Sequence, residues 1–195
     1  MTSQADVSRE TLQKLHLYEA LLKKWQKKVN LVSSSTIDDA WDRHFVDSMQ
    51  VADFIADKDA NIVDIGSGAG FPGLVLAIMG YKNVTLIEAD LKKTLFLREV
   101  ARQTQVDVTI LNERIEGVDI SADILTARAL ASLKDLMTYA KNILNKNSKA
   151  LFLKGENFES ELFEAKKVFD FSCVVHQSQT SDKGKILEIN VSRET

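Results

Sequence analysis

One glycine-rich stretch, residues 61–73, constrains the fold of this chain more than any other part of the sequence. It opens with an apolar run, residues 62–65, that has the length and composition of a buried β-strand. Three glycines then occur at alternate positions: Gly66, Gly68 and Gly70. Pro72 precedes an apolar segment that ends at Gly80, the usual placement of proline and glycine at the two ends of a helix. The stretch therefore predicts a strand, a turn that lets a ligand approach the backbone, and a helix.

Two classes of cofactor site use such a turn. A dinucleotide site has the pattern Gly-x-Gly-x-x-Gly directly after the strand, and this chain has Phe71 where the third glycine would fall. A shifted match at Gly68, Gly70 and Gly73 keeps an NAD-dependent dehydrogenase open as an alternative. The Gly-x-Gly-x-Gly register, preceded by Asp64, looks like the first motif of S-adenosylmethionine-dependent methyltransferases, in which the turn holds the amino-acid end of the cofactor.

Composition limits the remaining function classes. A chain of 195 residues that is 45% hydrophobic predicts one domain with a sizeable core. We expect a helical extension over residues 1–57 and a Rossmann-like core over residues 58–195. The net charge of −3 argues against nucleic-acid binding by bulk charge, although local basic patches remain open. The single cysteine and three scattered histidines predict neither a disulfide nor a metal site, and the lack of a long apolar run or a signal peptide predicts a cytoplasmic protein.

Two helices are predicted before the glycine turn. The first covers residues 9–29 and carries a cluster of possible phosphate ligands: Lys23, Lys24, Lys27 and Lys28. The alternative is that these lysines form a solvated face around a core Trp25. The second helix is predicted from Ser35 or Thr36 to about residue 55. His44 and Asp47 lie three residues apart on it and share a face, so both a structural pair and a functional pair remain open.

Apolar runs of strand length alternate with helical patterns in the rest of the chain. Four further strands are predicted at residues 84–87, 108–111, 123–126 and 150–153. Helices are predicted over residues 91–103, 132–144 and 158–168. Residues 171–176 and 186–191 are two last strands, joined as an antiparallel hairpin by a short polar connection. The pattern predicts an α/β fold: a doubly wound, mostly parallel seven-stranded sheet of the methyltransferase type, with two N-terminal helices packed on it.

Ligands of doubly wound sheets bind beyond the carboxyl ends of the strands. That rule selects the residues that follow the predicted strands: residues 66–71, Glu88, Ile115, Glu116, Arg128 and Lys154. Glu88 is suited to accept hydrogen bonds from both ribose hydroxyls, and Ile115 with Glu116 falls where an adenine would lie. Arg128 and Lys154 are candidates near the methyl-transfer site, but no catalytic residue can be assigned from the sequence.

Several methylation chemistries are excluded by residue type. Methylation at a pyrimidine carbon needs a cysteine nucleophile, and Cys173 lies in a late strand where a core role is favoured. The Asn/Asp-Pro-Pro-aromatic element of enzymes that methylate exocyclic amino groups is absent, since Pro72 is the only proline. Arg128 occupies the place where metal-assisted O-methylation would require acidic ligands. A nucleophile that needs no base, such as a ring nitrogen, remains.

Six segments in order resemble the RsmG family, also called glucose-inhibited division protein B. They are Trp25 with residues 30–31, then residues 43–48, 64–73, 114–116, 128–132 and 153–155. The resemblance implies methyl transfer from S-adenosylmethionine to N7 of one guanine in 16S ribosomal RNA of the small subunit. It also implies cofactor contacts at Gly66, Phe71, Ile115, Glu116 and Arg128. Phe71 and Glu88 depart mildly from the family, in which leucine and aspartate are common at these positions.

The expected enzyme aligns its reactants rather than abstracting a proton. Guanine N7 carries a lone pair, so alignment and electrostatics are sufficient contributions from the protein. The complete set of expected cofactor-binding residues is Gly66, Gly68, Gly70, Phe71, Glu88, Ile115, Glu116 and Arg128. The RNA-binding candidates are Lys23, Lys24, Lys27, Lys28, Arg43 and Lys154. We expect a monomer whose partner is 16S ribosomal RNA or the small subunit, with no metal and no membrane; a non-catalytic nucleotide- or RNA-binding module is the second alternative.

Overall fold

A seven-stranded sheet forms the centre of the computed structural model, which describes residues 7–191. Its strands are β1 (Asn61–Ile65), β2 (Asn83–Ile87), β3 (Thr109–Leu111), β4 (Ala122–Arg128), β5 (Leu144–Lys154), β6 (Phe171–Gln177) and β7 (Lys185–Val191). Their order across the sheet is β3-β2-β1-β4-β5-β7-β6. Strands β1 to β5 pair in parallel, and β7 runs antiparallel to both β5 and β6. The predicted doubly wound, mostly parallel sheet is confirmed.

The α-helices are α1 (Arg9–Gln26), α2 (Asp47–Met49), α3 (Gly73–Ile78), α4 (Leu91–Thr104), α5 (Leu133–Ile143) and α6 (Phe158–Lys166). Two of them begin at the caps that the sequence suggested. The Asp90 carboxylate accepts from the Lys92 N–H at 2.7 Å, and the Ser132 hydroxyl accepts from the Asp135 N–H at 3.3 Å. Local residue chemistry therefore decides where α4 and α5 start.

The second predicted helix differs from the structure. Helical structure begins only at residue 41. It starts as a π-helical segment (Trp41–Val46), continues through α2 and ends as a 3₁₀ segment (Gln50–Phe54). Thr36 does not cap this helix, because the helical segment begins at Trp41 and has Ala40 as its N-cap. The Thr36 hydroxyl instead donates to the Ser33 carbonyl. Side-chain donors also occupy carbonyls inside the segment: Ser48 donates to the carbonyl of His44. Such competition for backbone acceptors favours departures from the regular α-helical pattern.

Strand β5 is longer than predicted, since it begins at Leu144 rather than at residue 150. Residues 145–149 are all polar and gave no apolar signal. Their pairing with β4 is irregular, with a bulge between Ala122 and Ile124. The extra length therefore depends on a neighbouring strand rather than on a local pattern.

Two hydrophobic clusters cover the two faces of the sheet. One contains side chains of α1, the 41–54 segment, α3 and α4, and the other contains side chains of α5 and α6. The α1 side chains Leu15, Tyr18 and Leu22 are fully buried in the first cluster. Helix α1 packs mainly on α3 and α4, so it adds an outer layer over the helices that cover the sheet. Across the described part of the chain, no helix has the length and apolar character needed to cross a membrane.

Candidate functional site

A cavity of about 710 Å³ lies at the carboxyl ends of β1, β2 and β4. Seven of the eight predicted cofactor-binding residues line it: Gly66, Gly68, Phe71, Glu88, Ile115, Glu116 and Arg128. Gly70 does not line this cavity, and neither does Lys154. Part of the remaining wall comes from residues 30–33, Thr36 and His44 of the N-terminal extension. The fold thus brings together residues that are spread over most of the chain.

The three glycines of the turn have positive φ angles and different surroundings. A side chain at Gly70 would place its Cβ 2.6 Å from the Tyr18 hydroxyl, inside the core, and one at Gly66 would place its Cβ 2.3 Å from a methyl group of Leu130. At Gly68 the nearest heavy atom is the Gly66 carbonyl oxygen, at 3.8 Å. Gly68 is therefore the turn glycine whose Cα faces open space, and it is the position at which a ligand is able to approach the backbone.

Glu88 fastens the glycine turn to the end of β2. One carboxylate oxygen accepts from the Gly68 N–H at 2.8 Å, and the other accepts from the Asp90 N–H at 2.8 Å. Only 8% of the residue is exposed, and this exposed part faces the cavity. The carboxylate therefore orders the turn and also presents a negative charge to any molecule in the cavity.

Asp64 lies beneath the turn and is fully buried. One of its oxygens accepts from the Thr126 hydroxyl of β4 at 2.7 Å, while the other has no hydrogen bond of good geometry within residues 7–191. Burial raises the pKa of Asp64 to about 6, against the opposing effect of the Thr126 hydrogen bond. A Cβ at Gly73 would lie 2.6 Å from the Asp64 Cβ, so α3 approaches β1 closely at this point. Asp64 thus supports the turn from below rather than lining the cavity.

Arg128 connects the end of β4 with the N-terminal extension. Its Nη2 donates to the carbonyl of Arg43 at 2.7 Å and to Nδ1 of His44 at 2.7 Å. Its Nε lies 3.4 Å from a carboxylate oxygen of Asp47. Its Nη1 is buried and has no hydrogen-bond partner in the described part of the chain, and the guanidinium lies 5.7 Å from the ring centre of Phe71. The cation is therefore fixed in place, and its Nη1 amino group is left without a partner in the described part of the chain.

His44 acts as a neutral acceptor in this arrangement. Burial and the positive charges of Arg128 and Arg43 lower the pKa of His44 to about 3. Because Nδ1 accepts from Arg128, the hydrogen-bond network assigns the proton to Nε2, which lies 2.9 Å from the Thr36 hydroxyl. The ring also stacks against Phe71, with 5.2 Å between ring centres. Both ring nitrogens are thus occupied by protein groups.

The chain matches one protein family over most of its length. The family model of GidB, rRNA small subunit methyltransferase G, matches residues 11–190. The chain belongs to this family. It is 46% identical over 185 residues to the ribosomal RNA small subunit methyltransferase G of Rickettsia felis, covering 95% of this chain and 96% of that protein. The protein of the same name from Rickettsia prowazekii is 45% identical over 184 residues, with 94% and 96% covered.

Solved structures of more distant proteins share the fold. A ribosomal protein L11 methylase from Lactobacillus delbrueckii subsp. bulgaricus superposes with a TM-score of 0.66 at 18% identity, over 75% of this chain and 77% of that one. Magnesium protoporphyrin IX methyltransferase from Synechocystis PCC 6803, solved with bound S-adenosylmethionine, has a TM-score of 0.66 at 14% identity over 97% of this chain and the whole of the other. The family resemblance inferred from the six sequence segments and the methyltransferase type of fold are both confirmed.

Another part of the cavity wall contains the predicted adenine-side residues. Ile115 and Glu116 form a short 3₁₀ turn after β3. A carboxylate oxygen of Glu116 accepts from the Tyr139 hydroxyl at 2.9 Å. A hydrogen bond from its own backbone N–H and the one from Tyr139 lower the pKa of Glu116. Sequence reasoning missed Tyr139, because the helical spacing of α5 carried no signal that this side chain reaches the end of β3.

The RNA-binding candidates are in different surroundings. Lys24, Lys27 and Lys28 are exposed at the end of α1, and Lys23, also exposed, pairs with Glu19 at 2.7 Å. The side chain of Lys154 is only 9% exposed. Its ammonium donates to the carbonyl of Ala131 at 2.9 Å and pairs with Glu161 at 2.7 Å. Lys154 therefore holds the connection between β4 and α5, a contact that the sequence could not reveal.

Two further expectations concern metal and cysteine. Over residues 7–191, no cluster of three or more His, Cys, Asp or Glu side chains has an arrangement that could hold a metal ion. Cys173 lies on β6 and does not line the cavity. Burial raises the pKa of its thiol, which disfavours the reactive thiolate.

Proposed function

We propose that this chain transfers a methyl group from S-adenosylmethionine to N7 of a guanine in the 16S ribosomal RNA of the small subunit. Membership of the rRNA small subunit methyltransferase G family supports the reaction class. The observation that carries the proposal is the open space in front of Gly68, bordered by Glu88 at the carboxyl ends of the parallel strands. The choice of N7 and of 16S RNA follows from the family resemblance.

The residues that line the cavity suit this cofactor. The open approach at Gly68 fits the amino-acid end, and the exposed edge of the Glu88 carboxylate fits the ribose hydroxyls. Ile115 offers an apolar surface for the adenine. The unpartnered Nη1 of Arg128 is a buried donor that a carboxylate would satisfy. When bound, the cofactor supplies a methyl group that is already activated by the adjacent sulfonium.

The protein's contribution to the transfer is positional. Guanine N7 attacks with its own lone pair, so no side chain has to remove a proton. His44 is neutral but uses both ring nitrogens, and Asp64 is fully buried and outside the cavity wall. Neither group is free to serve as a general base. Alignment of the two reactants and a fixed electrostatic environment therefore account for the expected rate enhancement.

We further propose how the protein meets its substrate. The exposed lysines at the end of α1 contact RNA phosphates, which concentrates positive charge on one face of an acidic chain. The chain works in the cytoplasm as a monomer. Its residues 1–57 and 58–195 act as one domain, since side chains from both parts share one hydrophobic cluster.

The test is methyl transfer from tritium-labelled S-adenosylmethionine, with deproteinised 16S RNA and whole small subunits as separate substrates. We expect label in one guanine, located by mass mapping of RNA fragments. The single-turnover rate should be constant between about pH 6.5 and 8.5, because no general base titrates. Tight cofactor and RNA binding without transfer on either substrate would favour a binding module, and label at a position other than guanine N7 would refute the assigned atom.

A further inference from the structure

A second cavity, of about 530 Å³, lies beside the cofactor cavity. Arg128 and Ala129 line both, so the two cavities adjoin at the end of β4. The second cavity is also bordered by the end of β5 and by the connection between β6 and β7. Its volume lies within the range of about 300–1,000 Å³ that is usual for small-molecule sites and suits one nucleotide.

Hydrogen bonds hold the walls of this second cavity in place. Asp47, on the N-terminal extension, accepts from the hydroxyls of Ser178 at 3.1 Å and Thr180 at 2.9 Å. Gln50 accepts from the backbone N–H of Gln179 at 3.0 Å. The β6–β7 connection is therefore fastened to the N-terminal extension, more than 120 residues away in the chain. A cavity with fixed walls is ready to receive a ligand without first being ordered.

The charges around the second cavity favour an anion. Five cationic residues line it: Arg43, Arg128, Lys154, Lys183 and Lys185. Three carboxylates also line it: Asp47, Glu156 and Glu161. Each carboxylate already has a cationic partner, Arg128, Lys183 and Lys154 respectively. The balance is 5 − 3 = +2, in a chain whose net charge is −3.

Two of these cations have no carboxylate partner in the described part of the chain. The guanidinium of Arg43 makes no hydrogen bond or ion pair there. The ammonium of Lys185 contacts the side-chain amide of Gln177 and the ring of Phe158. Arg43 and Lys185 come from different elements of the fold, and both line the second cavity. Two unpaired cations that line one cavity are suited to bind a phosphate group.

We propose that the second cavity receives the target nucleotide of the RNA, with its phosphate held by Arg43 and Lys185. The assignment rests on the proposed methyl transfer, which requires the nucleotide to lie next to the cofactor. The two cavities adjoin at Arg128 and Ala129, so a base in the second cavity and a cofactor in the first meet at that junction. Lys154 and Lys183 neutralise the carboxylates of the site and leave the two unpaired cations to bind phosphate.

The test compares Arg43→Ala, Lys185→Ala and the double variant with Lys82→Ala. Lys82 directly precedes β2, so the Lys82→Ala variant removes one positive charge at the opposite edge of the sheet. Arg43→Ala keeps the backbone carbonyl that accepts from Arg128. The measurements are S-adenosylmethionine affinity by calorimetry, RNA half-saturation in single-turnover transfer, and filter binding of a 16S RNA fragment that contains the target guanine.

We expect the double variant to raise RNA half-saturation at least about tenfold and to flatten the salt slope of RNA binding by roughly 0.7, for one phosphate that is no longer neutralised. Cofactor affinity should change less than about twofold, as should every property of Lys82→Ala. RNA binding equal to that of Lys82→Ala, or a parallel loss of cofactor affinity, would overturn the assignment. If the wild type binds RNA without methylating it, the proposed function fails while a loss of filter binding in the double variant still supports the cavity.

Discussion

Replacement of His44 offers a direct test of how Arg128 is held. In the folded protein the neutral ring accepts from Arg128 Nη2 at 2.7 Å, and its pKa is lowered to about 3 by burial and by the charges of Arg128 and Arg43. In the unfolded chain the pKa returns to about 6.5. The unfolded state therefore binds the extra proton first, and the stabilisation present above pH 6.5 is lost as the pH falls toward 3.

The size of this loss follows from the two pKa values. Between about pH 7.5 and pH 5 the unfolded ring gains its proton while the folded ring stays neutral, which corresponds to about 2 kcal/mol of unfolding free energy. The residue is only 7% exposed, so solvent screens the effect weakly. His44→Asn removes the titration but keeps a side-chain oxygen near Arg128. His44→Ala removes the acceptor too, which should lower stability by a further 1.5–3 kcal/mol, roughly the value of a hydrogen bond to a charged group.

Urea denaturation of the three proteins at about pH 7.5 and about pH 5 measures both quantities. We expect the stability of the wild type to fall by about 2 kcal/mol relative to His44→Asn between these pH values. His44→Ala should lie below His44→Asn at both. A wild-type minus His44→Asn difference that is the same at the two pH values would show that the folded ring gains a proton as readily as the unfolded one. Equal stability of the Asn and Ala variants would show that the ring does not act as an acceptor for Arg128.

Four further substitutions test the glycine turn and its supports. Gly68→Ala should weaken S-adenosylmethionine binding in calorimetry and lower the melting temperature only modestly, because its Cβ meets open space and only the positive φ is strained. Gly70→Ala should lower the melting temperature more strongly, because its Cβ also meets the hydroxyl of Tyr18. The reverse pattern would refute the roles assigned to the two glycines. Glu88→Gln should weaken cofactor binding by about 1–3 kcal/mol, since it loses charge and one of the acceptors that order the turn, and unchanged binding would make the carboxylate a bystander. The folded pKa of Asp64 is raised, so its ionised form destabilises the fold increasingly as the pH rises from about 4 to 6. Asp64→Asn should therefore gain about 2 kcal/mol relative to the wild type over that range, and a flat difference in urea denaturation would contradict the assigned burial effect.

The local features of this protein could be read from the sequence. The apolar run before Gly66, the alternating glycines and the cap residues Asp90 and Ser132 each act within a few positions of the chain. Strand and helix periodicity is likewise local, and it was enough to predict the α/β class, the hairpin and the edge of the sheet at which the cavity lies. The glycines of the turn and Glu88 belong to the predicted cofactor-binding residues, most of which line one cavity in the structure.

The tertiary structure decided how the site residues are used. Local spacing put His44 and Asp47 on one helix face, but only the fold brings Arg128 between them from 84 positions along the chain. It also buries Lys154 against Glu161, and it directs Gly70 into the core while Gly68 faces open space. Periodicity records which side of an element is buried, whereas ion pairs and close contacts depend on which elements meet. Hence the chain's own pattern determines the scaffold, and packing between distant segments determines which charges remain free for a ligand.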